Sequence, residues 1–219
     1  MKVLLFGATG MIGQGVLREC LLDPQVSQVL SIGRSSSGQV HPKLKEVLHQ
    51  DFHDYSAIEG ELAGLDACCF CLGATAAGLS EQAYHRLTYD VTLAAATTLS
   101  RLNPAMTFCY ISGAGTDSTE RGRIMWARVK GKTENALLRL PFKAVYLFRP
   151  GAIQSLHGIT SRTRLYRVLY ALLNPFFPLL KRIAPDSFTT TEQLGRAMIH
   201  AGLNGAPKTV LETADINRL

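Results

Sequence analysis

The chain has 219 residues, which is long enough to bury a full hydrophobic core and favours a single domain. Its net charge is +6, and residues 121–182 hold thirteen Lys or Arg against one acidic residue, Glu134. This basic half indicates an anionic ligand or surface, namely cofactor phosphates, a phosphorylated or CoA-linked substrate, or anionic lipid; nucleic acid is not expected, since no nucleic-acid motif accompanies the charge.

The first predicted strand leads directly into a glycine turn. Val3 to Phe6 are apolar on both faces, as in a central parallel strand, and Gly7, Gly10 and Gly13 follow at intervals of three. Glycines in this position allow a sharp turn, a close approach to a pyrophosphate and close packing of the following helix, whose N-terminus favours phosphate. The pattern predicts a dinucleotide site; a tight turn without a ligand is the alternative.

The second predicted strand, Gln28–Gly33, is followed by Arg34 and Ser35. In NAD sites an acidic residue near this position binds the ribose hydroxyls, whereas an arginine suits the 2′-phosphate of NADP. No acidic residue stands beside Arg34, so the sequence predicts NADP rather than NAD. The alternative is a solvated loop arginine.

Strands and helices alternate along the rest of the chain. Strands are predicted at 44–49, 66–72, 106–111, 144–148 and 210–211, and helices at 55–65, from Ser80 to a stop at Asn103, at 124–140 and from Thr190. This alternation predicts an α/β fold with one doubly wound parallel sheet. Ligands bind such sheets at the carboxyl ends of the strands.

Several strand ends together resemble the short-chain dehydrogenase/reductases (SDRs). These features are the glycine pattern, Asp51 after strand three, Leu72 and Gly73 after strand four, Ser112 after strand five, Lys130 on a helix, and Arg149-Pro150-Gly151 after strand six. Over nearly its whole length the chain resembles atypical SDRs of the Tat-interacting-protein-like group and bacterial proteins labelled nucleoside-diphosphate-sugar epimerases. The resemblance implies a Rossmann fold that binds NADP.

The resemblance also implies a role for individual residues. The pyrophosphate would lie on the glycine turn, the 2′-phosphate on Arg34 and Ser35, the adenine on Asp51 and Phe52, and the riboses on Leu72, Gly73 and Lys130. The implied cofactor residues are Gly7, Thr9, Gly10, Met11, Ile12, Gly13, Arg34, Ser35, Asp51, Phe52, Leu72, Gly73, Lys130, Pro150 and Ile153. No metal ligand is implied.

One position departs from the family pattern Tyr-x-x-x-Lys. The chain has Trp126 four residues before Lys130, and an indole offers only an N–H donor with no ionisable oxygen. Another acid or base could replace the tyrosine: Ser112, Lys130 itself, or a displaced tyrosine among Tyr84, Tyr89 and Tyr110. The substrate could also need no enzymatic proton donor, or the protein could bind NADP without turnover.

The segment 161–183 is apolar and aromatic with flanking Arg and Lys, and its prolines make it too interrupted to span a membrane. We expect residues 1–219 to form one domain, with 152–190 as an insert or lid. The segment would cover the substrate site or form an interface in a homo-oligomer; a peripheral membrane contact is the alternative.

The five cysteines lie in apolar stretches, which indicates buried, reduced thiols in a cytoplasmic protein without a secretory signal. Adjacent cysteines on a strand point to opposite faces and so do not form one metal site. The sequence therefore predicts an NADP-dependent oxidoreductase or epimerase-like enzyme acting on a small, anionic substrate. A non-catalytic NADP(H)-binding regulator or scaffold is the alternative.

Overall fold

The computed structural model describes residues 1–159 and 182–219, and the elements are numbered over these residues. The strands are β1 Lys2–Phe6, β2 Gln28–Gly33, β3 Leu44–Leu48, β4 Ala67–Phe70, β5 Thr107–Ile111, β6 Ala144–Arg149, β7 Ala152–Gln154, β8 Phe188–Thr190 and β9 Val210–Glu212. The helices are α1 Met11–Leu22, α2 Glu81–His85, α3 Val91–Leu102, α4 Met125–Leu137, α5 Thr191–Asn204 and α6 Thr213–Ile216.

Seven strands form a central sheet in the order β3-β2-β1-β4-β5-β6-β9, and every neighbouring pair is parallel. The chain leaves β1 in one direction along the sheet through β2 and β3, and then returns to the other side of β1 with β4. This reversal opens a crevice beyond the carboxyl ends of β1 and β4. The predicted doubly wound parallel sheet is confirmed.

The sheet is covered on both faces because its strands are apolar on both faces. Val3 and Leu5 belong to a core with helices α1 and α5, whereas Leu4 and Phe6 belong to a second core with α3 and α4. All four side chains are fully buried. The alternation of neighbouring residues between two cores is the expected geometry of a strand buried on both sides.

Helix α5 packs closely against α1 through glycines. A Cβ placed on Gly15 would lie 2.7 Å from the Cβ of Thr191, and one placed on Gly195 would lie 2.8 Å from the Cγ of Glu19. The Thr190 hydroxyl caps α5 by accepting from the amide of Gln193, at 3.0 Å, which agrees with the predicted helix start at Thr190. Helix α5 therefore covers the core that it shares with α1 and the sheet.

The structure differs from the sequence predictions in four local features. The predicted helix at 55–65 is a short 3₁₀ segment, Ser56–Glu61, and the long helix from Ser80 contains a π turn, Arg86–Asp90, between α2 and α3. Helix α6 was not predicted, and its first turn places the Asp215 carboxylate 3.2 Å from the Glu212 amide. Strands β7 and β8 pair in parallel as a separate two-stranded sheet that the sequence did not predict.

Most of the predicted 161–183 segment lies outside the described residues. The prediction of an insert or lid at 152–190 therefore stays a prediction, as does the single-domain organisation. None of the described helices combines the length and apolarity needed to cross a membrane.

Candidate functional site

The glycine turn after β1 brings three backbone segments into close contact. Gly7 has φ +82°, and a Cβ on it would lie 2.7 Å from the carbonyl oxygen of Cys71 at the end of β4. A Cβ on Gly13 would lie only 2.0 Å from the Gly7 carbonyl oxygen, so the first turn of α1 rests directly on the glycine turn. Side chains at either position would push the helix away from the sheet edge.

The start of α1 suits a negatively charged group. Its N-cap, Gly10, provides no side-chain cap, and the first turn contains no acidic residue. The first amides of a helix have no intrahelical acceptor, and the helix dipole favours an anion beside them. A pyrophosphate therefore fits the first turn of α1 without displacing a side chain.

A cleft of about 290 Å³ opens over this turn, between β1, β2 and β4. Of the predicted cofactor residues, it is lined by Gly7, Thr9, Gly10, Met11, Arg34, Ser35, Phe52, Leu72 and Gly73. The sequence prediction did not include four further lining residues, Ala8, Ser31, Gly33 and Cys71. Their positions in the sequence could have identified them, because each lies at or near the carboxyl end of a central strand.

The other predicted cofactor residues do not line this cleft. Gly13 is buried beneath the turn, and Ile12 and Ile153 pack with the core formed by α1. Asp51 is exposed, and its Oδ1 accepts from the His53 amide at 2.9 Å, which forms a local turn. Pro150 is buried, and its carbonyl accepts from the Ala114 amide at 2.9 Å.

Arg34 lies at the rim of the cleft with an exposed side chain. Its carbonyl oxygen accepts from the Gln50 side-chain amide at 3.1 Å, which fixes the backbone at the end of β2. Within residues 1–159 and 182–219, no carboxylate forms an ion pair with its guanidinium. The guanidinium is therefore available to an anionic group at the rim.

A larger cleft of about 510 Å³ shares Ala8 with the first and was not predicted. It lies along the outer side of α1, and its polar lining is contributed by Gln14, Arg18, Ser37, Gln39, His41 and His157. His157 has φ +58° and its Nε2 lies 2.7 Å from Glu192 Oε2. No residue spacing predicts this cleft, because it is assembled from three loops and one helix.

The side chain of Lys130, on α4, reaches the carboxyl end of β5. Its Nζ donates to the carbonyl oxygen of Ile111 at 3.2 Å and lies 5.5 Å from the centre of the Tyr110 ring. Burial lowers the pKa of Lys130 to about 8, and the nearby Glu134 carboxylate opposes this shift. A lysine with such a pKa exists in both charge states near neutral pH and can exchange a proton with a bound group.

Ser112 follows Ile111 directly and is therefore brought next to Lys130. Its side chain is buried, and its hydroxyl donates to the Phe148 carbonyl oxygen at 3.1 Å. The hydroxyl thus joins the ends of β5 and β6, and its oxygen can still accept a hydrogen bond. This contact gives Ser112 a structural role in addition to the predicted catalytic one.

Trp126 is half-buried and lies one helical turn before Lys130 on α4. The end of its indole ring, Cη2, is 3.7 Å from the position of a Cβ on Gly115. The indole therefore lies beside the loop that follows Ser112. Lys130 contacts the last residue of β5, just before this loop, so Trp126 and Lys130 lie on the same side of α4, as a spacing of four residues places them.

The three candidate replacement tyrosines differ in their surroundings. Tyr84 and Tyr110 are buried, and burial raises the pKa of both hydroxyls above the ordinary value. Tyr89 is half-buried, and its ring lies 4.6 Å from that of His85. Tyr110 belongs to the core, and a raised pKa opposes a role as a base at neutral pH for Tyr84 and Tyr110.

All five cysteines are free. Cys68 packs in the core with α3 and α4, and its neighbour Cys69 packs in the core with α1 and α5. The prediction that adjacent cysteines point to opposite faces is confirmed.

Curated relatives match about two thirds of this chain. A protein of Emericella nidulans named "Protein fmp52, mitochondrial" is 28% identical over 159 residues, which cover 69% of this chain and 66% of the relative. "Protein HTATIP2" of Rattus norvegicus is 27% identical over 154 residues, which cover 69% of this chain and 62% of the relative. The matches thus span slightly less than two thirds of the relatives' length, and no family model matches the chain.

Solved structures with the same fold include an epimerase and an enzyme in complex with NAD⁺. A UDP-glucose 4-epimerase covers all of this chain and 80% of its own length, with a TM-score of 0.70 and 15% identity. The enzyme WbmH of Bordetella bronchiseptica in complex with NAD⁺ has a TM-score of 0.66 and 14% identity over 96% of this chain and 74% of its own. The fold is a Rossmann fold, and the predicted resemblance to atypical SDRs near HTATIP2 is confirmed.

The predicted cytoplasmic location is wrong by this comparison. Fungal relatives, including that of Saccharomyces cerevisiae, carry the name "Protein FMP52, mitochondrial". Their names point to a mitochondrial rather than a purely cytoplasmic location. The cytoplasmic prediction rested on reduced cysteines and a missing secretory signal, and neither feature distinguishes these two locations.

Proposed function

We propose that this homologue of HTATIP2 and FMP52 proteins is an NADP-dependent oxidoreductase that acts on a small carbonyl or alcohol substrate. The observation that carries the proposal is Lys130, whose amine, with a pKa of about 8, lies at the same sheet edge as the glycine cleft. The substrate would lie between Lys130, Ser112 and the backbone after Arg149. A nicotinamide dinucleotide is further supported by the enzymes that share the fold.

The glycine cleft supplies the features that a dinucleotide needs. The first turn of α1 offers free amides for the pyrophosphate, and Phe52 offers an apolar surface for the adenine. Arg34 at the rim suits the 2′-phosphate and supports NADP over NAD. When bound, the nicotinamide supplies or accepts the hydride.

Lys130 replaces the family tyrosine as the proton donor in this proposal. As an ammonium it gives a proton to the substrate oxygen during carbonyl reduction, and as a neutral amine it takes one during alcohol oxidation. Trp126 cannot exchange a proton at neutral pH, so its indole N–H only orients the substrate. Ser112 holds the ends of β5 and β6 together and offers its oxygen as an acceptor.

The first experiment is a fluorescence titration of the purified chain with NADPH and, separately, with NADH. We expect NADPH to bind more tightly, and Arg34→Ala to weaken NADPH binding by about tenfold or more, because a charged hydrogen bond is lost. Arg139→Ala is the matched control, since Arg139 is exposed beyond the far end of α4. Equal binding of NADH, unchanged by Arg34→Ala, would remove the NADP preference; no binding of either nucleotide would remove the proposal.

A second function is favoured by Trp126 alone. Without the tyrosine, the chain could bind NADP(H) as a regulator or scaffold and catalyse nothing. Steady NADPH consumption with any member of a panel of carbonyls, quinones and sugar nucleotides would contradict this alternative. Tight NADPH binding with no turnover across that panel would favour it.

A further inference from the structure

Behind Lys130 lies a buried ion pair that no part of the proposed reaction has used. Glu134 is one turn further along α4 than Lys130, and its side chain is 1% exposed. Arg149, at the end of β6, donates to Glu134 Oε1 through Nε at 3.0 Å and to Oε2 through Nη2. A buried carboxylate is costly unless such charged hydrogen bonds satisfy it.

The same arginine also ties other parts of the site together. Its Nη2 donates to the Ser118 hydroxyl at 2.6 Å, in the loop after β5, and its Nη1 lies 3.6 Å from Glu212 on β9. The backbone of Arg149 continues directly into Pro150. The pair therefore joins the helix that carries Lys130 to the strand end beside which we place the substrate.

We propose that Glu134, held by Arg149, is the positioning residue that sets the charge of Lys130 and the distance between α4 and the segment after β6. Its part in the reaction rests on the proposed function. Burial alone disfavours the ammonium form of Lys130, and the buried carboxylate one turn away restores part of that stability. The two hydrogen bonds from Arg149 hold the carboxylate in place and prevent it from turning away from the lysine.

The groups that face this pair come from each neighbouring element. Tyr110 on β5 lies beneath the Lys130 amine, and the Glu134 charge helps to raise the pKa of that tyrosine. Tyr84 on α2 lies beyond Tyr110 and also raises its pKa. Both hydroxyls keep their protons at neutral pH, so Glu134 is the acidic group that acts on Lys130 in this region of the described structure.

The charge of Lys130 can be measured directly on the full chain by reductive ¹³C-methylation of its lysines and an NMR pH titration. Lys130→Arg identifies the resonance by its loss. We expect a midpoint near pH 8 in the unmodified sequence, and a midpoint about one unit lower in Glu134→Gln, because a nearby opposite charge is removed. An unchanged or higher midpoint in Glu134→Gln would overturn the proposal.

Two further variants keep the test decisive. Glu212→Gln removes a half-exposed contact of Arg149 and should leave the midpoint unchanged, while Glu134→Asp keeps the charge and should recover most of the shift. If Glu134→Gln does not fold, the double variant Glu134→Gln/Arg149→Met removes both buried charges, and its midpoint should lie below that of the unmodified sequence by a smaller amount, because the positive charge of Arg149 is removed as well. The titration needs no nucleotide, so a shifted midpoint without NADPH turnover would remove the proposed function and keep the effect of Glu134 on the lysine.

Discussion

Gly13 leaves no room for a methyl group, because a Cβ there would lie 2.0 Å from the Gly7 carbonyl oxygen and 2.5 Å from its carbon. Both contacts are to backbone, which cannot move aside without shifting α1. We expect Gly13→Ala to cost about 1–3 kcal/mol of unfolding free energy and to abolish measurable NADPH binding. Chemical denaturation and fluorescence titration check both effects.

Gly73→Ala is the matched control for this prediction. Gly73 lines the same cleft, but a Cβ on it would have no neighbour within 4 Å. We expect this variant to keep its stability. Equal loss of stability in the two variants would contradict the assignment of the clash to the Gly7 carbonyl.

The lowered pKa of Lys130 makes the stability of the protein depend on pH. The pKa of about 8 in the folded chain lies below the ordinary value of 10.5, so the unfolded chain binds the proton more tightly. Below about pH 8, the buried ammonium of Lys130 destabilises the folded chain. This penalty decreases as the pH rises from about 8 to 10.5, so the free energy of unfolding increases across that window. A lysine suited to proton exchange is thus a lysine that weakens the fold at neutral pH.

Lys130→Met should accordingly raise the unfolding free energy at pH 7 by about 1–3 kcal/mol, and this gain should shrink at pH 10. Urea denaturation at the two pH values measures the difference. Lys132→Met, on the exposed side of the same helix, should show no such pH dependence. A gain of equal size at both pH values would contradict the burial of the ammonium as its cause.

Single residues of the site differed in how well the sequence predicted them. The glycines and Arg34 were recognisable because their roles depend on backbone geometry and charge at a strand end. The partners of buried groups were not: Glu134 and Arg149 are fifteen residues apart, and only the packing of α4 on the sheet joins them. The hydroxyl contact of Ser112 with Phe148 likewise depends on the pairing of two strands.

Among the elements, the crossing of α1 and α5 depends on two glycines that meet different neighbours. At Gly15 an added Cβ would lie 2.8 Å from the backbone oxygen of Thr191, whereas at Gly195 its nearest contact would be the flexible Glu19 side chain. We expect Gly15→Ala to lower the melting temperature clearly more than Gly195→Ala, because a side chain can rotate away and a backbone cannot. A larger decrease in melting temperature for Gly195→Ala than for Gly15→Ala would contradict this explanation. It would show that the two helices separate at the Gly195 end instead.

Long periodic elements were predictable, and short irregular ones were not. The central strands and helices α1 and α5 carry their own apolar period, and the Thr190 cap of α5 also acts locally. The π turn at Arg86–Asp90 and the pairing of β7 with β8 have no local period, since they follow from contacts with distant segments. The 3₁₀ segment at Ser56–Glu61 is too short for an apolar face to separate it from an α-helix.

For the whole molecule, the two cores share one sheet and should therefore unfold together. Leu194 on α5 and Leu137 on α4 are both fully buried, one in each core. We expect each Leu→Ala change to cost about 2–5 kcal/mol and to shift the entire transition. Circular dichroism and the fluorescence of Trp126, the chain's single tryptophan, should give coincident curves; separate curves would contradict both this coupling and the single-domain prediction.

The sequence predicts the net charge of the whole molecule, but it does not predict which charges are exposed on the surface. The basic half contains Arg128 and Arg149, which the structure pairs with Glu81 and Glu134. Part of the positive charge is therefore used for internal contacts, and a count along the sequence cannot separate that part from the charge facing a ligand.

The four thiols with at most 1% exposure, Cys20, Cys68, Cys69 and Cys109, lie on α1, β4 and β5, at the centre of the fold. Burial raises the pKa of each thiol, to about 12 for Cys20 and Cys109, so the native chain presents almost no reactive thiolate from them. An alkylating reagent can then modify them only during the rare moments when the centre opens. Their modification should be concerted, and its rate at saturating reagent would time the spontaneous opening of the native protein without any denaturant.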